Sequence, residues 1–504
     1  MLTKRIGSAA LSLLVALSSA AIPASAAPGS VLTGYMGDVN ADMHVDAADV
    51  AAVQSYMLNS GAVFDSTDIS VADLDRDGSA AAPDLSILKR IVCGFAEAEG
   101  IYTEQPPVTD DKPIDPPIEI LNASLPSQGE AKILIFSIEF PDCKFSSYKS
   151  AEELINIVFG PENSSSPYYP CESLTAYFDR SSYGVMQLSG ECLTYTAQNS
   201  ISVYNNDKVR IVEEAMNYYA DKIDFTQFDG DGDGMIDCSS YFVPESASSD
   251  YWWPCSGGFG DPAFRVDGMS VGNIITGNTS PSNPSDYNGT MIHEMGHAMG
   301  LPDYYKYVDY GDIEGFHGDA GFARMDEATG DFCAFSKLML GWYKPSQINV
   351  FDGSSPSVTY TIDGSQTNGG CVIIPGEKTD ENGYFSEFFI LEYVTKEGNY
   401  TNGWFNGSGV RVFHVEATLY RDAWGGCCLG YVDNGPLFKS HDGIRVIKLV
   451  NDGKGFTTSG GTISKSNCSD FGWYDASGQP TVDSGITISV GELSGGKCTV
   501  TISK

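Results

Sequence analysis

The run His293-Glu294-Met295-Gly296-His297-Ala298-Met299-Gly300-Leu301-Pro302-Asp303 constrains this 504-residue chain more than any other stretch. It reads H-E-x-x-H-x-x-G-x-x-D. Positions four apart on an α-helix lie one above the other, so His293 and His297 can hold one metal ion with Glu294 beside it. Gly300 falls where helices commonly end in a left-handed residue, which lets the chain double back and bring Asp303 to the same ion. Three protein ligands with an open fourth position separate a catalytic zinc from a structural one. Glu294, not needed as a ligand, is the expected general base.

Two residues compete with Asp303, because a carboxylate well downstream of the second histidine completes some zinc sites. They are Glu314 and His317, within Asp312-Ile313-Glu314-Gly315-Phe316-His317-Gly318-Asp319. That stretch reads as an exposed glycine-rich loop, so a structural or substrate-edge role is expected. His414, on an apparent strand, reads as a hydrogen-bonded core histidine. Tyr304, Tyr305 and Tyr310 are the candidates for a donor to the oxyanion of acyl transfer.

Several further pieces occur in order around the zinc motif. Upstream are Ile138-Glu139-Phe140-Pro141-Asp142, the run Ser173-Leu174-Thr175-Ala176-Tyr177-Phe178-Asp179-Arg180-Ser181-Ser182-Tyr183-Gly184, and an acidic loop from Asp229. Downstream are Phe335-Ser336-Lys337-Leu338-Met339-Leu340-Gly341-Trp342 and Gly409-Val410-Arg411-Val412-Phe413-His414-Val415. Over about residues 130 to 504 the chain thereby resembles the immune-inhibitor-A-like secreted metallopeptidases, relatives of the metzincins. The resemblance implies a zinc-dependent endopeptidase with one catalytic Zn2+ on His293, His297 and Asp303, and a methionine turn beneath the metal. Met325 is the candidate for that turn.

Acidic residues outnumber basic ones 66 to 29, a formal net charge of −37. Nucleic acid and anionic membrane surfaces would repel such a chain, whereas clustered carboxylates are tolerable where they share calcium. Lys4 and Arg5 precede an apolar stretch ending in Ala24-Ser25-Ala26, which reads as a secretory signal over 1–26. No later run is long and apolar enough for a membrane span. The 12 cysteines all follow the signal, so export would permit a mixture of disulfides and buried thiols, in no pairing that spacing dictates.

Residues 30–95 contain a duplication of loop and helix. Oxygen side chains at loop positions one, three, five and twelve encircle calcium, with position nine often acting through water. In the first copy these are Asp38, Asn40, Asp42 and Asp49, with Asp46 at position nine; in the second they are Asp73, Asp75, Asp77 and Asp84. Loop then helix, with no entering helix and aspartate at position twelve, resembles a dockerin. The resemblance implies two bound calcium ions and a cohesin domain of a scaffold protein as partner, contacted by Ala47 and Ala48 in one copy and Ala82 and Pro83 in the other. A third acidic loop, with Asp229, Asp231, Asp233 and Asp237 at positions one, three, five and nine, is expected to hold calcium that braces the body.

The expected architecture is therefore multidomain. A small all-α dockerin is followed by a proline-rich spacer over 96–128 in extended polyproline geometry. An α+β zincin-like catalytic domain covers 129–345, and alternating apolar segments with glycine turns over 346–504 predict a β-rich, sandwich-like region. The function these features imply is a secreted zinc endopeptidase acting on extracellular proteins from a cohesin-bearing scaffold, the cellulosome. Two alternatives stand beside it, a scaffold-borne module that binds protein or glycan without cleaving it, and a carbohydrate-active enzyme. The second lacks the paired carboxylates that glycosidases place across a sugar.

Overall fold

The computed structural model describes residues 30–40, 44–58, 71–74, 79–93, 100–104, 123–205, 207–308, 312–317, 324–327, 330–377, 386–401, 407–416, 419–421, 427–429, 447–450, 455–476 and 478–504. The signal expected over 1–26 lies outside them. The chain divides into two compact units, 1–111 and 112–504.

In the first unit, β1 (Ser30–Tyr35) is followed by α1 (Ala47–Met57), α2 (Ala82–Val92) and β2 (Gly100–Glu104). The two helices are copies shifted by 35 positions, and Val53 and Leu88 meet Ala72 in one small core. Gly37 takes a φ of +99°, and a Cβ there would lie 2.8 Å from Leu88 Cδ1, so only glycine lets the first loop cross the second helix this closely. β1 and β2 pair antiparallel. Residues 100–104 thus belong to a strand pair rather than to the extended spacer expected over 96–128.

The second unit opens on β3 (Gly129–Glu139), then α3 (Ala151–Val158), α4 (Leu174–Ser182), β4 (Met186–Thr196), α5 (Lys208–Tyr219), β5 (Met235–Phe242), β6 (Cys255–Gly258), β7 (Ser270–Gly277) and α6 (Pro284–Ala298). The strands form one sheet in the order β4-β3-β5-β7-β6. All pairs are parallel except the edge strand β6, which is antiparallel to β7. Parallel strands are covered on both faces, which is why β3 reads as a continuous apolar run. Its Ile133 and Ile135 join the core containing α4 and α6, while Leu134, Phe136 and Ile138 join the core containing Ile211, Val212, Ala215 and Met216 of α5.

The spacer differs from expectation at its other end too. Leu125 is buried and its N–H donates to Ala298 O at the end of α6, while Ser127 O accepts from Trp342 Nε1. Residues 123–128 are packed chain, because Leu125 offers apolar surface that a solvated spacer would leave in water.

After α6 come β8 (Tyr305–Val308), β9 (Asp312–His317), α7 (Arg324–Glu327) and α8 (Ala334–Met339). The stretch read as a loop at 312–317 is a strand, paired antiparallel with β8 through Tyr305 opposite His317. The chain then enters β10 (Ile348–Val350), β11 (Ser357–Asp363), β12 (Cys371–Pro375), β13 (Glu387–Val394), β14 (Gly409–Glu416), β15 (Leu419–Arg421), β16 (Cys427–Leu429), β17 (Ile447–Leu449), β18 (Thr462–Ser464), β19 (Thr487–Ser494) and β20 (Lys497–Ser503). Two sheets result, β10-β12-β13-β14-β17 and β11-β20-β19-β18. Val372, Phe389, Leu391 and Val412 of the first close a core against Ile488, Val500 and Ile502 of the second. The opposite face of the first sheet, with Ile373, Ile390, Phe413 and Val415, joins the core of α4, α6 and α8. The chain is thus multidomain, a loop-and-helix module with a mixed α/β and β-rich body. The ten described cysteine side chains stand as thiols, seven of them buried.

Charge is buried where the sheet unit meets the β-rich region. Asp331 accepts from Ser181 Oγ at 2.5 Å, Gln366 Nε2 at 2.8 Å and Asn399 Nδ2 at 3.0 Å, and pairs with Lys337 Nζ at 2.8 Å, both partners fully buried. Removing one member of such a pair strands the other. We expect Asp331→Ala to destabilise the body by about 3–5 kcal/mol in chemical denaturation, and Asp331→Ala with Lys337→Met to recover most of that loss.

Candidate metal centres

Helix α6 starts with Pro284 in its first turn, and buries Tyr287, Met291, Ile292 and Met295. Its end is built by hydrogen bonds from Gly300 N to His297 O at 2.8 Å and from Leu301 N to Gly296 O at 3.0 Å, with Gly300 at φ +94°. This pair of bonds turns the chain through a left-handed residue that a side chain would strain. Asp303 returns beneath the helix.

His293 Nε2 and His297 Nε2 lie 3.1 and 3.2 Å from Asp303 Oδ1. Ligand atoms of the three residues fall within 4.8 Å of one another. His293 Nδ1 is 2.7 Å from Arg324 O and His297 Nδ1 is 2.8 Å from Leu301 O. Each carbonyl can only accept, so both rings carry their proton on Nδ1 and turn a lone pair on Nε2 toward Asp303 when neutral. Two imidazole nitrogens and one carboxylate oxygen fit zinc, whose tetrahedral bonds would set its donors about 3.3 Å apart. Burial works against charge on His297, but Asp303 outweighs it and lifts this imidazole to about 10; desolvation likewise opposes charge on Asp303, whose carboxyl the two imidazoles hold well below the usual range. Glu294 is buried beside them, and that burial raises its carboxyl against the pull of His297 and His293.

Met325 is fully buried on α7, and a Cβ added at Gly296, between the two histidines, would run into its Sδ. The methionine candidate therefore underlies the helix turn that carries both imidazoles. Its neighbour Arg324 was not legible as a site residue. Buried, it donates from Nε to Tyr177 OH at 3.1 Å and from Nη2 to Gly330 O at 2.9 Å, which fixes the carbonyl that holds His293. Tyr304 does not fit the role of oxyanion donor, being fully buried with its hydroxyl 2.8 Å from Ser336 Oγ. The side chains of Tyr305, Glu314 and His317, and all of Tyr310, lie outside the described residues. His414 is in the β-rich core, 2.9 Å from Glu387 Oε1 and stacked on Tyr474, on the face of its sheet that carries Phe389 rather than the face that joins the core of α6.

In the acidic loop before β5, Asp229, Asp231 and Asp237 bring ligand atoms within 4.8 Å. Asp233, read as a fourth ligand, accepts from Met235 N at 2.8 Å and lies outside that group. Asp237 is almost wholly buried and accepts from Gly230 N at 3.0 Å. Burial first, then Asp231, Asp229 and Asp233, push its carboxyl up to about 7.

In the first unit, Asp49 is fully buried at the start of α1, with Val39 N at 3.0 Å and Asp46 N at 2.8 Å. Burial raises its carboxyl against those N–H groups, with Asp38 adding to the rise. Asp46 caps α1 through Ala48 N at 2.6 Å. Asp84 repeats the position of Asp49 at the start of α2, accepting from Ala81 N at 2.8 Å. Asp38 is buried, Asn40 exposed and Asp73 half-buried, whereas Asp42, Asp75 and Asp77 lie outside the described residues. Ala47, Ala48 and Ala82 are exposed on matching first turns; the side chain of Pro83 is not described. Among the described residues no helix is long and apolar enough to cross a membrane.

A family model described as the dockerin type I domain matches residues 36–92. Among curated proteins none matches the chain.

Asp237 links pH to stability in a definite direction. Its folded carboxyl sits near 7, above the ordinary 3.8, so in the absence of calcium its contribution is complete below about 4 and is lost as pH rises through 7. Thermal melts of the body in EGTA should fall in midpoint from pH 4 to 8, calcium should restore the loss at pH 8, and Asp237→Asn should flatten the pH dependence and remove the calcium response.

Proposed function

We propose that the body of this chain is a zinc endopeptidase, carried on an extracellular scaffold by a calcium-loaded dockerin type I domain that binds a cohesin. The convergence of His293 Nε2, His297 Nε2 and Asp303 Oδ1 beside a buried Glu294 carries the first half of this reading. The family match over residues 36–92, with paired loops that place Asp49 and Asp84 alike, supports the second.

Zinc held by those three atoms would supply a Lewis acid for the scissile carbonyl. The remaining work falls to the chain. Glu294, its carboxyl raised by burial, takes a proton from the attacking water and delivers it to the leaving amine. Carbonyls of Arg324 and Leu301 hold the imidazoles in one tautomer and orientation. The edge strand β6 packs beside α6, with Cys255, Gly257 and Gly258 exposed. An extended peptide can add to that edge by main-chain hydrogen bonds, which a sugar chain cannot do. This favours a peptide substrate over both alternatives, since a pure binding module has no use for the base.

Glu294→Gln should retain zinc by metal analysis and lose at least about a hundredfold in peptide hydrolysis, in line with the removal of a general base. His293→Ala or His297→Ala should lose the metal as well. Full turnover by the Glu294 variant would end the peptidase reading. For the module, calorimetry of the full chain against a type I cohesin should detect binding in calcium and none in EGTA. Replacing Asp49 and Asp84 together with alanine should abolish that binding while leaving peptide hydrolysis intact.

A further inference from the structure

Lys208 opens helix α5 and reaches across the end of the sheet to the first residue of the edge strand. Its Nζ donates to Thr276 Oγ1 at 2.6 Å and to Cys255 Sγ at 3.3 Å, and stands 5.8 Å from the ring centre of buried Trp252. Its chain neighbour Asp207 is turned away, accepting from Arg210 N as the cap of the helix. Among the described residues no carboxylate forms an ion pair with Lys208, in a chain with more than twice as many acids as bases. An ammonium has three donors, and the two bonds above leave one over. A half-buried cation, held in place by neutral groups beside an edge strand, is suited to receive an anion.

The strand register says where that anion comes from. Cys255 pairs with Thr276, and both side chains stand on the sheet face that carries α5, the face of Ile274. A peptide added to the outer edge of β6 would place one residue directly opposite Cys255. Its side chain would share that face, with Cβ atoms about 4.5–5.5 Å apart. A carboxylate on that residue reaches the same ammonium that Cys255 touches. Neighbouring peptide residues point to the other face, where Ser256 bonds Asn273 on the side of α6.

We propose that Lys208 sets substrate preference, its ammonium receiving the carboxylate of an aspartate or glutamate at the peptide position opposite Cys255 on the outer edge of β6, which no strand among the described residues pairs. The assignment rests on the peptidase reading above, and names the class of substrate that site takes.

The test uses the full chain loaded with zinc and calcium, and one cleaved peptide with glutamate or glutamine substituted at each position in turn. Glutamate should raise kcat/KM about tenfold over glutamine at a single position, as a charge-assisted hydrogen bond would. Lys208→Met should reduce that ratio to near one, and Lys208→Glu should shift the preference at the same position to lysine. Affinities of the Glu294→Gln protein for the same peptides, read by calorimetry, give a measure independent of turnover. Peptides that bind through Lys208 but are never cleaved would sink the peptidase reading and leave the role of Lys208 standing. Cleavage with a profile that ignores residue 208, or glutamate and glutamine peptides bound equally, would overturn the role of Lys208 whatever the activity.

Discussion

The carboxylate of Asp331 ties helices of the sheet unit to segments of the β-rich region. A single buried anion gathers Ser181 of α4, Lys337 of α8, and Gln366 and Asn399 of the β-rich region. Its own main-chain oxygen accepts from Arg324 N at 3.0 Å, and the carbonyl of Arg324 faces the ring of His293. Two residues of backbone thus separate the electrostatic hub from a proposed metal ligand. Burying an ion pair gains little over apolar packing, so its worth here lies in specifying one arrangement of the elements that meet there. The same logic recurs at Arg411 and Glu392, another fully buried pair between adjacent strands.

What the sequence disclosed and what it concealed follow from this. His293, His297, Gly300 and Asp303 were legible because helical spacing and a turn glycine are local rules. Asp49 and Asp84 were legible for the same reason, as loop positions fixed by short-range geometry. Arg324, Asp331 and Lys337 were not, because a charged residue reads as surface unless its partners are known, and these partners come from segments up to about 150 positions away. Strand β9 was taken for a loop because its glycine masks a pairing set by β8. The spacer was drawn too long at both ends, since pairing of residues 100–104 and burial of Leu125 depend on distant surfaces. Of the four aspartates in the third loop, spacing alone could not tell that Asp229, Asp231 and Asp237 would draw together while Asp233 accepts from Met235 N.

The acidic surplus takes on a sharper meaning in the folded chain. Asp49 and Asp237 are carboxyls driven into low-dielectric surroundings beside other carboxyls, and each is raised by that burial. Such groups are uncomfortable unless a proton or a cation neutralises them. The same species of divalent ion, bound separately in each unit, would neutralise both carboxyls.

The shared sheet of the β-rich region separates two kinds of portability. Strands β12, β13 and β14 send alternate side chains into two cores, Phe389 and Val412 one way, Ile390 and Phe413 the other. Cutting the chain before them would uncover the floor beneath α6 as well as the sandwich itself. The loop-and-helix module closes its own core with Val53, Ala72 and Leu88. In the exchange of segments between genes, the module is a unit that can be transplanted whole, whereas the sandwich can only be inherited along with the sheet and helices it underlies.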